Sequence, residues 1–120
     1  MVSLAMPKWV MLAVEAQVVV RSRSGVPIRL PSEWWERICV SHPELQGQKD
    51  AVVACVAMPE KVLVGDTSEL LAVRQISGGR YIVVVYREAS REDGFVLTAF
   101  LTTRSEQFER RKRVWPLLGK

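Results

Sequence analysis

Residues 81–103, Tyr-Ile-Val-Val-Val-Tyr-Arg-Glu-Ala-Ser-Arg-Glu-Asp-Gly-Phe-Val-Leu-Thr-Ala-Phe-Leu-Thr-Thr, constrain the fold more than any other stretch. β-Branched and aromatic side chains suit a pleated surface, and Glu92-Asp93-Gly94 supplies a turn between the two runs. The pattern predicts an antiparallel hairpin in the middle of a sheet. The first run is apolar on both faces as far as Tyr86 and Arg87, as a central strand should be. Strict alternation in the second run sends Phe95, Leu97, Ala99 and Leu101 to one face and Val96, Thr98, Phe100 and Thr102 to the other. The apolar face calls for helices against it, and the hydroxyl-bearing face is left for function. Arg87 shares the face of Thr98 if Ala89 stands opposite Gly94; a turn longer by one residue places Tyr86 there instead.

The rest of the chain must extend or cover that hairpin. Residues 15–23 and 26–30 read as a first hairpin around Ser24-Gly25. Ser32 is placed to cap a helix whose buried stripe is Trp34, Trp35, Ile38 and Cys39, and His42-Pro43 ends it because proline disfavours helical geometry in the residue before it. A second helix is predicted over 48–58, stopped by Pro59, with strands at 61–65 and 70–76 and a turn at Ser77-Gly78-Gly79. Residues 1–14 fit a short helix or an edge strand equally. Residues 104–113 are polar and basic, after which Trp115 returns the chain to the domain. The order predicts an α+β fold spanning 1–120 as one domain: an antiparallel sheet of four to six strands with two or three helices on one face.

Composition narrows the function classes. At 48% hydrophobic and 25% charged, the 120 residues are ordinary for a globular chain. The formal charge of +4 is uneven: residues 1–60 carry six basic and six acidic side chains, residues 61–120 eleven and seven. A basic half suits a phosphate-bearing or otherwise acidic partner, and equally a solvated surface. Cys39 and Cys55 fall in apolar helical segments and read as buried free thiols. Pro7, Lys8 and Glu15 interrupt the apolar N-terminus, so neither a signal peptide nor a membrane span is expected, and the cytoplasm is the expected location. One histidine and two cysteines sixteen residues apart match no zinc spacing, no carboxylate loop suits calcium or magnesium, and neither a glycine-rich phosphate loop nor a serine nucleophile elbow occurs. No metal and no cofactor is expected.

His42 is the only side chain whose ordinary pKa lies near neutrality, as a metal-free acid or base requires; the competing reading is a helix-end cap packed beside Pro43. Arg74 and Arg87 lie on predicted strands and their planar forks suit phosphate, although either can serve as an edge cation paired locally. Thr98 and Thr102 recur with period two, suited to phosphate oxygens and equally to a solvated strand face. Arg110, Arg111, Lys112 and Arg113 can grip a nucleic-acid backbone, with Trp115 as a stacking partner or a core anchor.

Taken together, Leu30-Pro31-Ser32-Glu33-Trp34, His42-Pro43-Glu44, Met58-Pro59-Glu60, Arg80 through Val85, Gly94 through Phe100 and Val114-Trp115-Pro116 resemble, in order and spacing, the phage-associated barnase, EndoU, colicin E5/D and RelE-like nuclease families. The resemblance covers about residues 26–116. It implies a barnase- or RelE-like fold with metal-independent endoribonuclease chemistry on the open sheet face, in toxin or phage-linked proteins. It also implies an antitoxin or immunity protein as a further partner. Carried over, the catalytic positions are His42, Arg87 and Thr98. In an RNA-cleaving reading, the residues themselves add Arg74, Tyr86, Thr102 and the basic run Arg110, Arg111, Lys112 and Arg113 as substrate-binding positions. A second acid or base would be Glu44, Tyr86 or another group, because only one histidine is present. The alternative is a catalytically silent nucleic-acid-binding or protein-interaction module on the same fold.

Overall fold

The structure, a computed structural model, describes residues 17–108 and 110–116. The expected element over 1–14 lies outside the described residues. In chain order the elements are β1 (Gln17–Arg21), β2 (Pro27–Pro31), α1 (Ser32–Ser41), α2 (Lys49–Ala57), β3 (Lys61–Val64), β4 (Leu70–Ile76), β5 (Arg80–Glu88), β6 (Gly94–Thr102) and β7 (Arg113–Trp115). Short 3-10 turns lie at Pro43–Leu45, Ser77–Gly79 and Ser105–Phe108.

All seven described strands join one sheet in the order β1-β2-β6-β5-β4-β3-β7. The α+β class is as expected and two of the expected two or three helices lie among the described residues, but the sheet is larger than four to six strands and is mixed rather than antiparallel. The first hairpin adds its two strands beside β6, and β2 runs parallel to β6 through Ile28 opposite Gly94 and Arg29 opposite Phe95. Parallel neighbours need a long crossover, and the intervening helices and meander provide it. Gly94 is required at this junction: a Cβ there would lie 2.6 Å from both the Arg87 carbonyl oxygen and Ile28 Cδ1. Arg29 Nε donates to Asp93 Oδ1 at 2.8 Å and holds the β5–β6 turn onto β2. Val114 and its neighbours form β7 antiparallel to β3, so the end of the basic run is a strand.

The helices follow the sequence pattern with one difference. Pro31, not Ser32, is the N-cap of α1, and no side-chain cap bond forms, because the chain enters the helix directly from β2 with Pro31 extended. His42 ends α1, its N–H donating to the Ile38 carbonyl at 2.8 Å. At the turn between β4 and β5, Gly78 and Gly79 take φ of 78° and 71°, which side chains with a Cβ rarely adopt.

The central hairpin departs from strict alternation. Glu88 stands opposite Gly94, so five residues, 89–93, form the turn, one more than in the Ala89–Gly94 register. Continued unchanged, that pairing would bring Tyr86 to the face of Thr98. A β-bulge at Leu97 prevents it: Tyr86 pairs with Val96, and Val85 with Thr98. The extra residue in the turn and the extra residue in β6 cancel, so Arg87 and Thr98 share a face. Val96 moves to the apolar side with Ala99 and Leu101, and Phe95 moves to the side of Thr98, both opposite to the expected parity.

Two cores result. On one face Ile38, Cys39, Val52, Cys55 and Val56 of the helices, with Leu45 of the following turn, bury against Ile28, Leu30, Ala72, Ile82, Val84, Tyr86, Val96 and Ala99. Both cysteines are free and buried, as expected. The Cys55 thiol donates to the Ala72 carbonyl at 3.3 Å, and burial pushes its pKa up to about 12. On the opposite face a smaller cluster of Leu63, Leu71, Val73 and Val83 is covered by Phe108, with Tyr81, Val85 and Phe100 at its margin. This face, helix-free among the described residues, is therefore partly roofed by the loop after β6. Among the described residues, no helix is long and apolar enough to cross a membrane.

Candidate functional site

The helix-free face is floored by alternate residues of β5 and β6: Tyr81, Val83, Val85 and Arg87 on one strand, Phe95, Thr98, Phe100 and Thr102 on the other. Phe108 of the Ser105–Phe108 turn stands edge-on to Tyr81, ring centroids 5.7 Å apart. Beside it lies an open groove of about 410 Å³ lined by Glu69, Leu71, Val85, Phe100, Phe108 and Arg111.

His42 reaches the same face from the helix layer. The Pro43–Leu45 turn packs beside β6, Leu45 burying completely, and this carries His42 to the sheet rim. Its ring lies 6.0 Å from that of Phe100. Nδ1 is 3.5 Å from Glu44 Oε2, and the two side chains are 34% and 40% exposed. Glu44 thus faces one ring nitrogen of a partly solvent-exposed imidazole. Thr98 and Thr102 flank Phe100 on the same strand face, so His42, Phe100 and the two threonines form one contiguous surface. The Thr102 hydroxyl accepts the Arg104 N–H at 3.0 Å and retains its proton for donation.

Arg87 is on this face but at another level. It sits four residues along β5 from Val83, the partner of Phe100, roughly 13 Å at about 3.3 Å per strand residue. Its Nη1 donates to the Thr67 carbonyl at 3.3 Å and to Ser68 Oγ at 3.2 Å. Arg111 is the cation that shares the groove with Phe100, and it donates to Asp66 Oδ1 at 2.9 Å. Arg110, Arg111 and Lys112 also line a shallow basic cleft with Val64, Gly65 and Asp66, and Arg113 lies exposed at the start of β7.

Two expected substrate residues stand elsewhere. Arg74 occupies the helix face, where its guanidinium donates to the Met58 carbonyl at the end of α2. Tyr86 is only 1% exposed and also faces the helix layer, its pKa raised by burial and by the nearby Glu88 carboxylate. Neither is placed to act with Thr98 across the sheet. Trp115 packs against the helix-side core, with the Arg23 guanidinium 4.3 Å from its ring centroid, so it anchors the chain end there.

Phe100, Glu69 and Arg111 are what the sequence reading did not assemble. Parity marked Phe100 as a neighbour of Thr98, but its contact with His42 requires the packing of the turn after α1. Glu69 organises the loop before β4: it accepts the Thr67 hydroxyl at 2.6 Å and the Thr67 and Asp66 N–H groups at 2.9 and 3.2 Å. These bonds, the Thr67 hydroxyl foremost, lower its pKa to about 2. Among the described residues, no three His, Cys, Asp or Glu side chains converge as a metal site. No family model, curated protein or solved structure matches the chain.

Proposed function

We propose that this is a metal-independent endoribonuclease-like domain whose site is the rim where His42 meets Phe100. The observation that carries the reading is a solvent-accessible imidazole, partnered by Glu44, set against an aromatic ring on a sheet face that also presents Thr98 and Thr102. An unpaired base can stack on Phe100 while hydroxyls and cations meet the adjoining phosphate. His42, oriented by Glu44, exchanges a proton with the reacting oxygens. The 2′-hydroxyl loses its proton to a base as its oxygen bonds to phosphorus; the 5′-oxygen leaves with a proton from an acid, giving a 2′,3′-cyclic phosphate. Thr98 and Thr102 donate to phosphate oxygens, and Arg111, Arg110 and Lys112 hold the flanking backbone. Arg87 has the role of gripping the strand farther along β5.

The barnase- and RelE-like resemblance, the toxin or phage-linked setting and an antitoxin or immunity partner belong to this same proposal. Its test is cleavage of single-stranded and structured RNA in excess chelator by the protein and by His42→Ala. Cyclic-phosphate product from the former and its loss in the latter supports the assignment. Equal cleavage by both removes His42 from the chemistry, and salt-sensitive RNA binding without product identifies the silent binding module.

A further inference from the structure

The helices do not cover the whole of their own sheet face. Beyond α2, the ends of β3, β4 and β5 lie at the floor of a separate cleft of about 340 Å³, lined by Arg23, Ser24, Val62, Leu70, Tyr86, Glu88, Val114 and Trp115. Its walls come from opposite margins of the sheet: Arg23 and Ser24 from the β1–β2 turn, Val114 and Trp115 from β7. The Arg23–Trp115 contact at 4.3 Å closes the two margins over the cleft.

Glu88 is built into this cleft with care. The Ser22 and Ser24 hydroxyls both donate to its Oε2, at 2.6 and 2.5 Å. Ser22 is itself buried, and its oxygen also accepts the Val26 N–H at 3.3 Å. The carboxylate is therefore fixed, with Oε1 left as acceptor, yet no cationic side chain among the described residues forms an ion pair with it. A partly enclosed carboxylate held only by neutral donors is most stable beside a cation. The remaining surface suits the body of such a ligand: Leu70 and Val114 are aliphatic and partly exposed above a floor of buried Val62 and Tyr86, and the Trp115 ring already holds one cation in Arg23.

The geometry points to a binding site for a primary alkylammonium group on an aliphatic stem, its nitrogen at Glu88 and its stem along Leu70, Val114 and the Trp115 ring. A free diamine and a lysine side chain of a polypeptide share that chemistry. Arg23 is the competing internal cation, which such a ligand displaces from Trp115. This site lies on the opposite sheet face from His42 and is independent of the ribonuclease reading.

The test uses the full chain, isotope-labelled for NMR, titrated with 1,4-diaminobutane, with Nα-acetyl-lysine N-methylamide and with uncharged 1,4-butanediol. Saturable shifts at Trp115, Tyr86 and Glu88 with an ammonium probe but not with the diol are expected. Stronger binding of the diamine assigns a free amine, and stronger binding of the capped lysine a polypeptide. Glu88→Gln, which keeps an acceptor for both serines, should weaken binding by about tenfold or more, the loss of one charge-assisted contact. Arg23→Ala should tighten it. Equal shifts with the diol, no shifts with either amine, or unchanged affinity in Glu88→Gln would overturn the proposal. The diol comparison needs no substitution and so stands even if a variant fails to fold.

Discussion

The His42 ring lies 6.0 Å from the Phe100 ring, its plane tilted by 36°, so the one histidine of the chain crosses from the helix layer to the helix-free face of the sheet. General acid–base groups contribute about 10²–10⁴-fold to rate. His42→Ala should lower RNA cleavage by that range while leaving RNA affinity within about twofold, measured as single-turnover rates and equilibrium binding. Phe100→Leu preserves much of the packing and removes the flat ring; it should weaken binding and cleavage together, with the fold intact by circular dichroism.

The bulge at Leu97 absorbs one extra residue in β6. Its deletion makes Val96, Thr98 and Ala99 consecutive, so Val96 stays opposite Tyr86, Thr98 opposite Val85 and Ala99 opposite Val84 in an unbroken register. Deletion of Leu97 should therefore keep the helix-side core and cost only about 1 kcal/mol, whereas deletion of fully buried Ala99, which puts Thr98 or Phe100 opposite Val84, should cost several kcal/mol, about 3 or more. Deletion of exposed Glu92 in the turn should cost much less. Denaturant midpoints of the three variants compare them directly.

Glu69 gives a pH signature. Its folded pKa, lowered to about 2 from an ordinary 4.5, means that the ionised side chain favours the folded loop. That contribution is fully present above about 4.5 and is lost as pH falls through about 2. The side-chain carboxyl should titrate near 2 by NMR, and Thr67→Val, which removes the largest cause, should move the midpoint upward.

Arg74 separates structural from functional cations. Because it closes the end of α2 through the Met58 carbonyl, Arg74→Met should lower stability by about 1 kcal/mol. RNA binding and cleavage should be unchanged, in contrast to Arg111→Met, which should reduce binding and flatten its salt dependence. Chemical denaturation and binding at two salt concentrations distinguish the pair.

Local pattern made much of the fold legible. The β-branched runs of 81–103, the Trp34-to-Cys39 stripe, the stop at His42-Pro43 and the glycines at 78 and 79 are short-range signals, and each element forms within a few residues of its expected limits. The shared face of Arg87 and Thr98 was one of two readable registers. What alternation could not show was the pair of offsetting insertions, a five-residue turn and a bulge, since each is invisible without the partner strand. The candidate surface was legible as a list of residue types rather than as a site: Arg74 and Tyr86 carry suitable chemistry but point into the helix layer.

The sequence by itself determined six of the seven described strands, the two described helices and the supply of hydroxyls, cations and one imidazole, because these follow from side-chain shape and periodicity along the chain. Tertiary structure decided which of them meet. Parallel pairing of β2 with β6 places the turn after α1 beside Phe100 and brings His42 to the rim, and the sheet margins meet where Arg23 lies over Trp115. Both outcomes depend on backbone hydrogen bonding and close packing between residues far apart in the chain, for which no local pattern of side chains carries the information.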